Sequence, residues 1–99
     1  PTEIYQAWTA GATAVKIFPA TQFGPRYVKE IKAPLSEIKL LPTGGIDQNN
    51  LLEYFKAGAT GVGMGSSLFN KDSLKKRDEV GLNNGFQAIV QLVKQVVKR

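Results

Sequence analysis

The 99-residue sequence contains no cysteine and no histidine. There is thus no disulfide framework, and the usual zinc ligands are missing. Its eight Asp and Glu residues are scattered, so neither a structural nor a catalytic metal is expected. No run of about 18 apolar residues occurs, so no transmembrane helix is expected. The opening PTEIYQAW has neither the basic leader nor the apolar stretch of a secretory signal. A cytoplasmic protein with no membrane partner is the resulting expectation.

What is present is ordinary globular material, 42% hydrophobic with five Phe, three Tyr and one Trp. The net charge of +5 is concentrated in KKR (75–77) and KQVVKR (94–99). Such charges suit a solvated surface and helix C-termini, and they attract an anionic substrate. No aromatic residues interleave with them, so nucleic acid is not an expected partner. The chain starts with proline rather than methionine, and Thr2 can cap a helix immediately. It reads as the tail of something longer.

Hydrophobic periodicity alternates helix and strand. A helix over 3–10 (Ile4, Ala7 and Trp8 inward) is ended by Gly11, and the strand AVKIF (14–18) follows. Gly24-Pro25 opens a second helix with Tyr27, Val28 and Ile31 as its buried stripe, and Pro34 limits it. Next come the strand IKLLP (38–42) and the loop TGGID; Asp47 or Asn49 caps the helix NLLEYFKA, which Gly58 closes. The strand GVGMG (61–65) precedes a polar, irregular stretch (70–84). The last helix carries Phe86, Ile89, Val90, Val93, Val96 and Val97 at helical spacing.

Strands joined by helices run parallel. TAGATAVKIFPA (9–20) and KAGATGVGMGSS (56–67) repeat one another. Repetition of a strand–helix unit favours a closed barrel over an open sheet. Such a barrel needs eight strands and about 250 residues. With about three strands and four helices, residues 1–99 read as a single partial domain, the C-terminal part of a TIM (β/α)8 barrel whose N-terminal strands are absent.

Lys16 lies mid-strand. Alternation turns Val15 and Ile17 toward the helices and Ala14, Lys16 and Phe18 toward the barrel interior. Desolvation there favours the neutral amine, which attacks carbonyl carbon to form a Schiff base. Taken alone, the position equally suits a lysine that snorkels or pairs with a carboxylate. PTGGI (42–46) lets backbone N–H groups approach an anion closely, although a GG pair also makes simple turns. GMGSS (63–67) places Ser66 and Ser67 at the start of a short helical turn. Glycine loops after successive strands, with a serine in the second, match the phosphate site of many barrels.

The segments VKIFPA, GPRYVKEIKAPL, LLPTGGI, NLLEYFKAGA and GVGMGSSLF, in this order, resemble the C-terminal portion of the 2-keto-3-deoxy-6-phosphogluconate / 4-hydroxy-2-oxoglutarate aldolases. The resemblance is strong to about Phe69 and looser beyond. It implies a class I lyase in which Lys16 forms the Schiff base, Phe18 packs beside it and Thr43 binds the substrate. Gly44, Gly45, Gly65 and Ser66 would hold the phosphate. It further implies pyruvate and glyceraldehyde 3-phosphate as products (glyoxylate from hydroxyoxoglutarate), no cofactor, and a homotrimer when full length. The family's general-base glutamate and its carboxylate-binding arginine belong to strands that would precede Pro1. Negligible activity is therefore expected of these residues alone. Other readings are a different phosphate-binding barrel, such as a phosphosugar isomerase or a thiamine-phosphate synthase-like protein, and a non-catalytic half-barrel.

Overall fold

A computed structural model of the chain describes residues 1–97. Helix α1 (Thr2–Thr9) is followed by strand β1 (Val15–Ile17), helix α2 (Ala20–Lys32), strand β2 (Leu40–Pro42) and helix α3 (Leu51–Lys56). A 3-10 turn (Ser66–Leu68) then leads to α4 (Lys71–Lys75) and α5 (Glu79–Val97). Strands β1 and β2 pair in parallel, Val15 with Leu40, Lys16 with Leu41 and Ile17 with Pro42. The result is a small α/β domain with a two-stranded parallel sheet.

The core forms where the sheet meets the helices. Ile38, Leu40 and Leu51 are fully buried, and Val15, Ile17, Val28 and Ile31 nearly so. Truncating Leu40 to alanine would cost about 2–5 kcal/mol, the usual penalty for an aliphatic side chain with no room to relax. On α1, Ile4 is buried while Ala7 and Trp8 pack against the core, as the spacing predicts. Gly11 adopts φ +105° and Gly58 φ +113°, the left-handed geometry that ends a helix.

Several expectations need correction. Strands over 14–18 and 38–42 shrink to three residues each. The third strand, 61–65, reduces to one parallel bridge between Gly63 and Thr43. Three of its five residues are glycine, which contribute no side chain to hold a ladder. Thr2 is the first residue of α1, after Pro1 at the cap position, and supplies no capping hydrogen bond. Helix α2 starts at Ala20, before Gly24-Pro25; Gly24 at φ 74°, ψ 177° kinks it and Pro25 restarts it.

The stretch 70–84 is largely helical rather than irregular, and among the described residues the α-helices number five rather than four. Asn70 Oδ1 accepts from Ser73 N at 3.0 Å to start α4, and Asp78 Oδ1 accepts from Gly81 N at 3.0 Å at the start of α5. On α5, Ile89 is buried and Val93 packs on the core, but Val90 is exposed and Leu92 takes an inward position. The packing of Val97 and the charges of Lys98 and Arg99 lie outside the described residues. Among the described residues no helix is long and apolar enough to cross a membrane.

Tyr54 of α3 is 2% exposed and donates its hydroxyl to the carbonyl of Ala20 at 3.3 Å, tying α3 to the first turn of α2. Burial, and then the charge of Glu53, raise its phenol above the ordinary value of 10.0. The unfolded chain therefore ionises this group first. Stability contributed by Tyr54 is whole below pH 10.0 and is lost as pH rises through the higher folded value. Tyr54→Phe should cost ~1 kcal/mol at neutral pH by removing one hydrogen bond. It should also make stability fall less steeply above pH 10.0 than in the wild type, as urea melts across that range will read.

Candidate active site

The two sheet faces differ sharply. Val15 and Ile17 are 7% and 6% exposed against the helices, whereas Lys16 between them is exposed. Strand alternation puts Phe18 on the Lys16 face, and the parallel register adds Leu41 and, two residues on, Thr43. A side chain at Gly61 would meet that of Leu41, and one at Gly63 would meet that of Thr43, so this neighbouring segment borders the same face. Lys16 thus lies on the face opposite Val15 and Ile17, as strand alternation predicts. Its surroundings are open rather than desolvated, because these residues build only one wall around it.

The ammonium Nζ of Lys16 lies 5.5 Å from the centroid of the Phe18 ring, within cation–π range. Phe18 is itself 66% exposed, and its ring lies over Gly44, where an added Cβ would sit 3.0 Å from it. Both residues border a cleft of about 370 Å³ between α1 and α2, walled by Ile4, Ala7 and Tyr27.

At the C-terminal ends of the strands the loops interlock. Thr43 N donates to Ile17 O at 2.8 Å, and Ala20 N donates to Thr43 O at 2.8 Å. The hydroxyl of Thr43 donates to Leu41 O at 3.1 Å. Gly44 and Gly45 both take positive φ, +102° and +73°. Gly65 takes the cap position of the 3-10 turn, and Ser66 and Ser67 are its first two residues, the position expected for the two serines. Lys16, Phe18 and Thr43 thus share one face, and Gly44, Gly45, Gly65 and Ser66 lie at its end.

Other residues support these loops. Asp47 Oδ1 accepts from Asn49 N at 2.8 Å and from Asn50 N at 3.2 Å, which closes the turn before α3; the cap position of α3 itself is Asn50, with no side-chain capping bond, so neither Asp47 nor Asn49 is the helix cap expected. Asn50 donates its Nδ2 to Gly45 O at 2.9 Å and accepts from Asp47 N at 2.9 Å. Ser67 donates its hydroxyl to Ile46 O. The roles of Asn50 and Ser67 were not evident in sequence, although an Asp and an Asn three apart before a helix signal such a turn.

With the face and loops defined, comparison with known proteins becomes informative. The profile of the KDPG and KHG aldolase family matches residues 1–84. The chain belongs to this aldolase family. It is 46% identical over 69 residues to the 2-dehydro-3-deoxy-6-phosphogalactonate aldolase of Escherichia coli, covering 69% of this chain and 34% of that protein. It is 32% identical over 98 residues to the 2-dehydro-3-deoxy-phosphogluconate aldolase of Haemophilus influenzae, covering 98% of this chain and 43% of that protein. Among solved structures, that of native KDPGal aligns with a TM-score of 0.73 at 37% identity, over 94% of this chain and 46% of that one. The chain thus spans less than half the length of these aldolase relatives.

Glu3, Glu30, Glu37 and Glu53, four of the five glutamates, are all exposed. Three lie on α1, α2 and α3, and Glu37 precedes β2. Of these, only Glu3 lines the cleft between α1 and α2.

Proposed function

We propose that residues 1–99 form the nucleophile- and phosphate-bearing part of a (β/α)8-barrel aldolase acting on a 2-keto-3-deoxy-6-phospho sugar acid. The observation that carries this reading is the placement of Lys16, Phe18 and Thr43 on one uncovered sheet face, ending at the Gly44-Gly45 and Gly65-Ser66 loops. The names of the relatives support either the galactonate or the gluconate epimer as substrate, and 4-hydroxy-2-oxoglutarate is the unphosphorylated counterpart.

In this mechanism the neutral amine of Lys16 adds to the C2 ketone, and loss of water leaves a protonated imine. A base removes the C4 hydroxyl proton. The C3–C4 bond breaks, its electron pair moving into the imine to give an enamine as the C4 aldehyde departs. Protonation at C3 and hydrolysis release pyruvate and return the free lysine. Phe18 flanks the imine, Thr43 holds the substrate, and backbone N–H groups of Gly44, Gly45, Gly65 and Ser66 bind the phosphate.

The base and a carboxylate-binding cation are assigned to barrel strands outside these residues. Residues 1–99 alone should therefore show negligible aldol cleavage, since proton transfer alone is worth about 10²–10⁴-fold. A full-length barrel is needed for the direct test. Residues 1–99 joined behind the preceding part of the Escherichia coli relative should give a borohydride-stable pyruvate adduct that peptide mapping places on Lys16. An adduct elsewhere, or none in a folded and phosphate-responsive hybrid, would count against the Schiff-base role. A homotrimeric, cytoplasmic enzyme is part of the same reading, and light scattering on the full-length protein tests its assembly.

A further inference from the structure

The proposed phosphate loops are physically joined, and the joint is a residue with no role so far. Ile46 is 1% exposed and follows directly on Gly45. Its carbonyl accepts the hydroxyl hydrogen bond of Ser67, which reaches across from the loop after Gly65. The preceding carbonyl, that of Gly45, is held at 2.9 Å by Asn50, at the cap position of α3. Consecutive carbonyls of the first loop are thus tied back by two side chains from different elements. Among the described residues the N–H groups of Gly45 and Gly65 find no acceptor, which leaves each of them available to an anion.

We propose that Ser67 is a positioning residue that locks the second glycine loop to the first, so that their N–H groups form a single anion-binding rim. The proposal rests on the phosphate reading above. Its chemistry needs only the hydroxyl: Ser67 donates to a carbonyl, fixes the spacing between Gly45 and Gly65, and never touches the phosphate. This separates it from Ser66, which that reading places against the phosphate itself. A loop pair that must be assembled by the ligand binds more weakly than one assembled beforehand, because ordering is then charged to the binding step.

The test uses the 99-residue chain with inorganic phosphate as the probe, followed by amide resonances and amide hydrogen exchange. Wild-type chain should show phosphate-dependent shifts at Gly45 and Gly65. Ser67→Ala should bind phosphate about tenfold more weakly, the loss of roughly one hydrogen bond, with faster exchange at Asp47 and Asn50. Ser67→Thr keeps the hydroxyl and should restore both. Equal affinity and exchange in Ser67→Ala and wild type would overturn the proposal, as would a Ser67→Thr variant no better than Ser67→Ala. A wild-type chain that ignores phosphate defeats the phosphate reading, and this proposal with it. A wild-type response that survives Ser67→Ala defeats the proposal alone.

Discussion

Replacing Lys16 by alanine is expected to remove the pyruvate adduct and to lower aldol cleavage at least about a thousandfold in a full-length barrel carrying these residues. The effect is attributable to chemistry because the side chain does so little for the fold. Lys16 is exposed between two buried neighbours, Val15 and Ile17. Substitutions at such surface positions usually stay within about 0.5 kcal/mol. Thermal melts of the 99-residue chain with and without Lys16→Ala should therefore nearly coincide, while the rates of the two full-length barrels separate. Lys16→Arg sharpens the result. It keeps the positive charge and most of the length, but a guanidinium stays protonated and cannot act as an amine nucleophile. If Lys16 served only as an ion-pair partner, arginine would retain much of the activity. Loss of cleavage in both variants, measured as kcat and KM with pyruvate release as readout, is the outcome the imine mechanism requires.

The second large effect is on stability. Gly45→Ala should lower the melting temperature by about 10–25 °C, the equivalent of ~2–4 kcal/mol in a domain of this size. Two costs combine. Gly45 sits at φ +73°, a left-handed conformation that costs an L-residue roughly 1–2 kcal/mol. Its Cβ would also be driven into the side chain of Thr21 at the start of α2, an overpacking of about 1–3 kcal/mol. A second substitution separates the two. With Thr21→Ala in the background, the steric part should disappear and the backbone part remain. Gly65→Ala is the control: its φ is −100° and nothing lies within 4 Å of an added Cβ, so its melt should move little. Equal losses at Gly45 and Gly65 would contradict this account.

These two positions also show how far the residues announce their own arrangement. The apolar–charged–apolar triplet Val15-Lys16-Ile17 is enough to orient β1, because period-two alternation has only two settings and burial of the valine and isoleucine selects one. Glycines 11 and 58 were equally legible as helix ends, since the left-handed geometry there favours them. Less of the third strand could be read. Its glycines fit a strand next to an active site and fit a loop equally well, and pairing that would decide between them depends on distant residues. The stretch after Phe69 failed for a different reason. Its polar residues predict a loop, yet Asn70 and Asp78 are caps that start helices. The links made by Asn50 and Ser67 depend on three-dimensional proximity across 5 and 21 residues, and only the first lies within reach of a local pattern. The environment of Lys16 was the least accessible of all, because the chain spans less than half the length of its relatives.

The double attachment of Thr43 sets the tolerance of this region to changes in length. Its N–H is held by Ile17 and its carbonyl by Ala20, so the span from Ile17 to Ala20 is measured against a single residue of the neighbouring strand end. Adding one residue between Ile17 and Ala20 would leave at most one of those bonds in place and shift Phe18 off Gly44. The turn at Arg77, between α4 and α5, carries no comparable cross-attachment to the sheet among the described residues, and its residues are exposed. Insertions, tags and loop grafts are better placed there, away from the sheet, than beside Lys16, where chain length is part of the geometry.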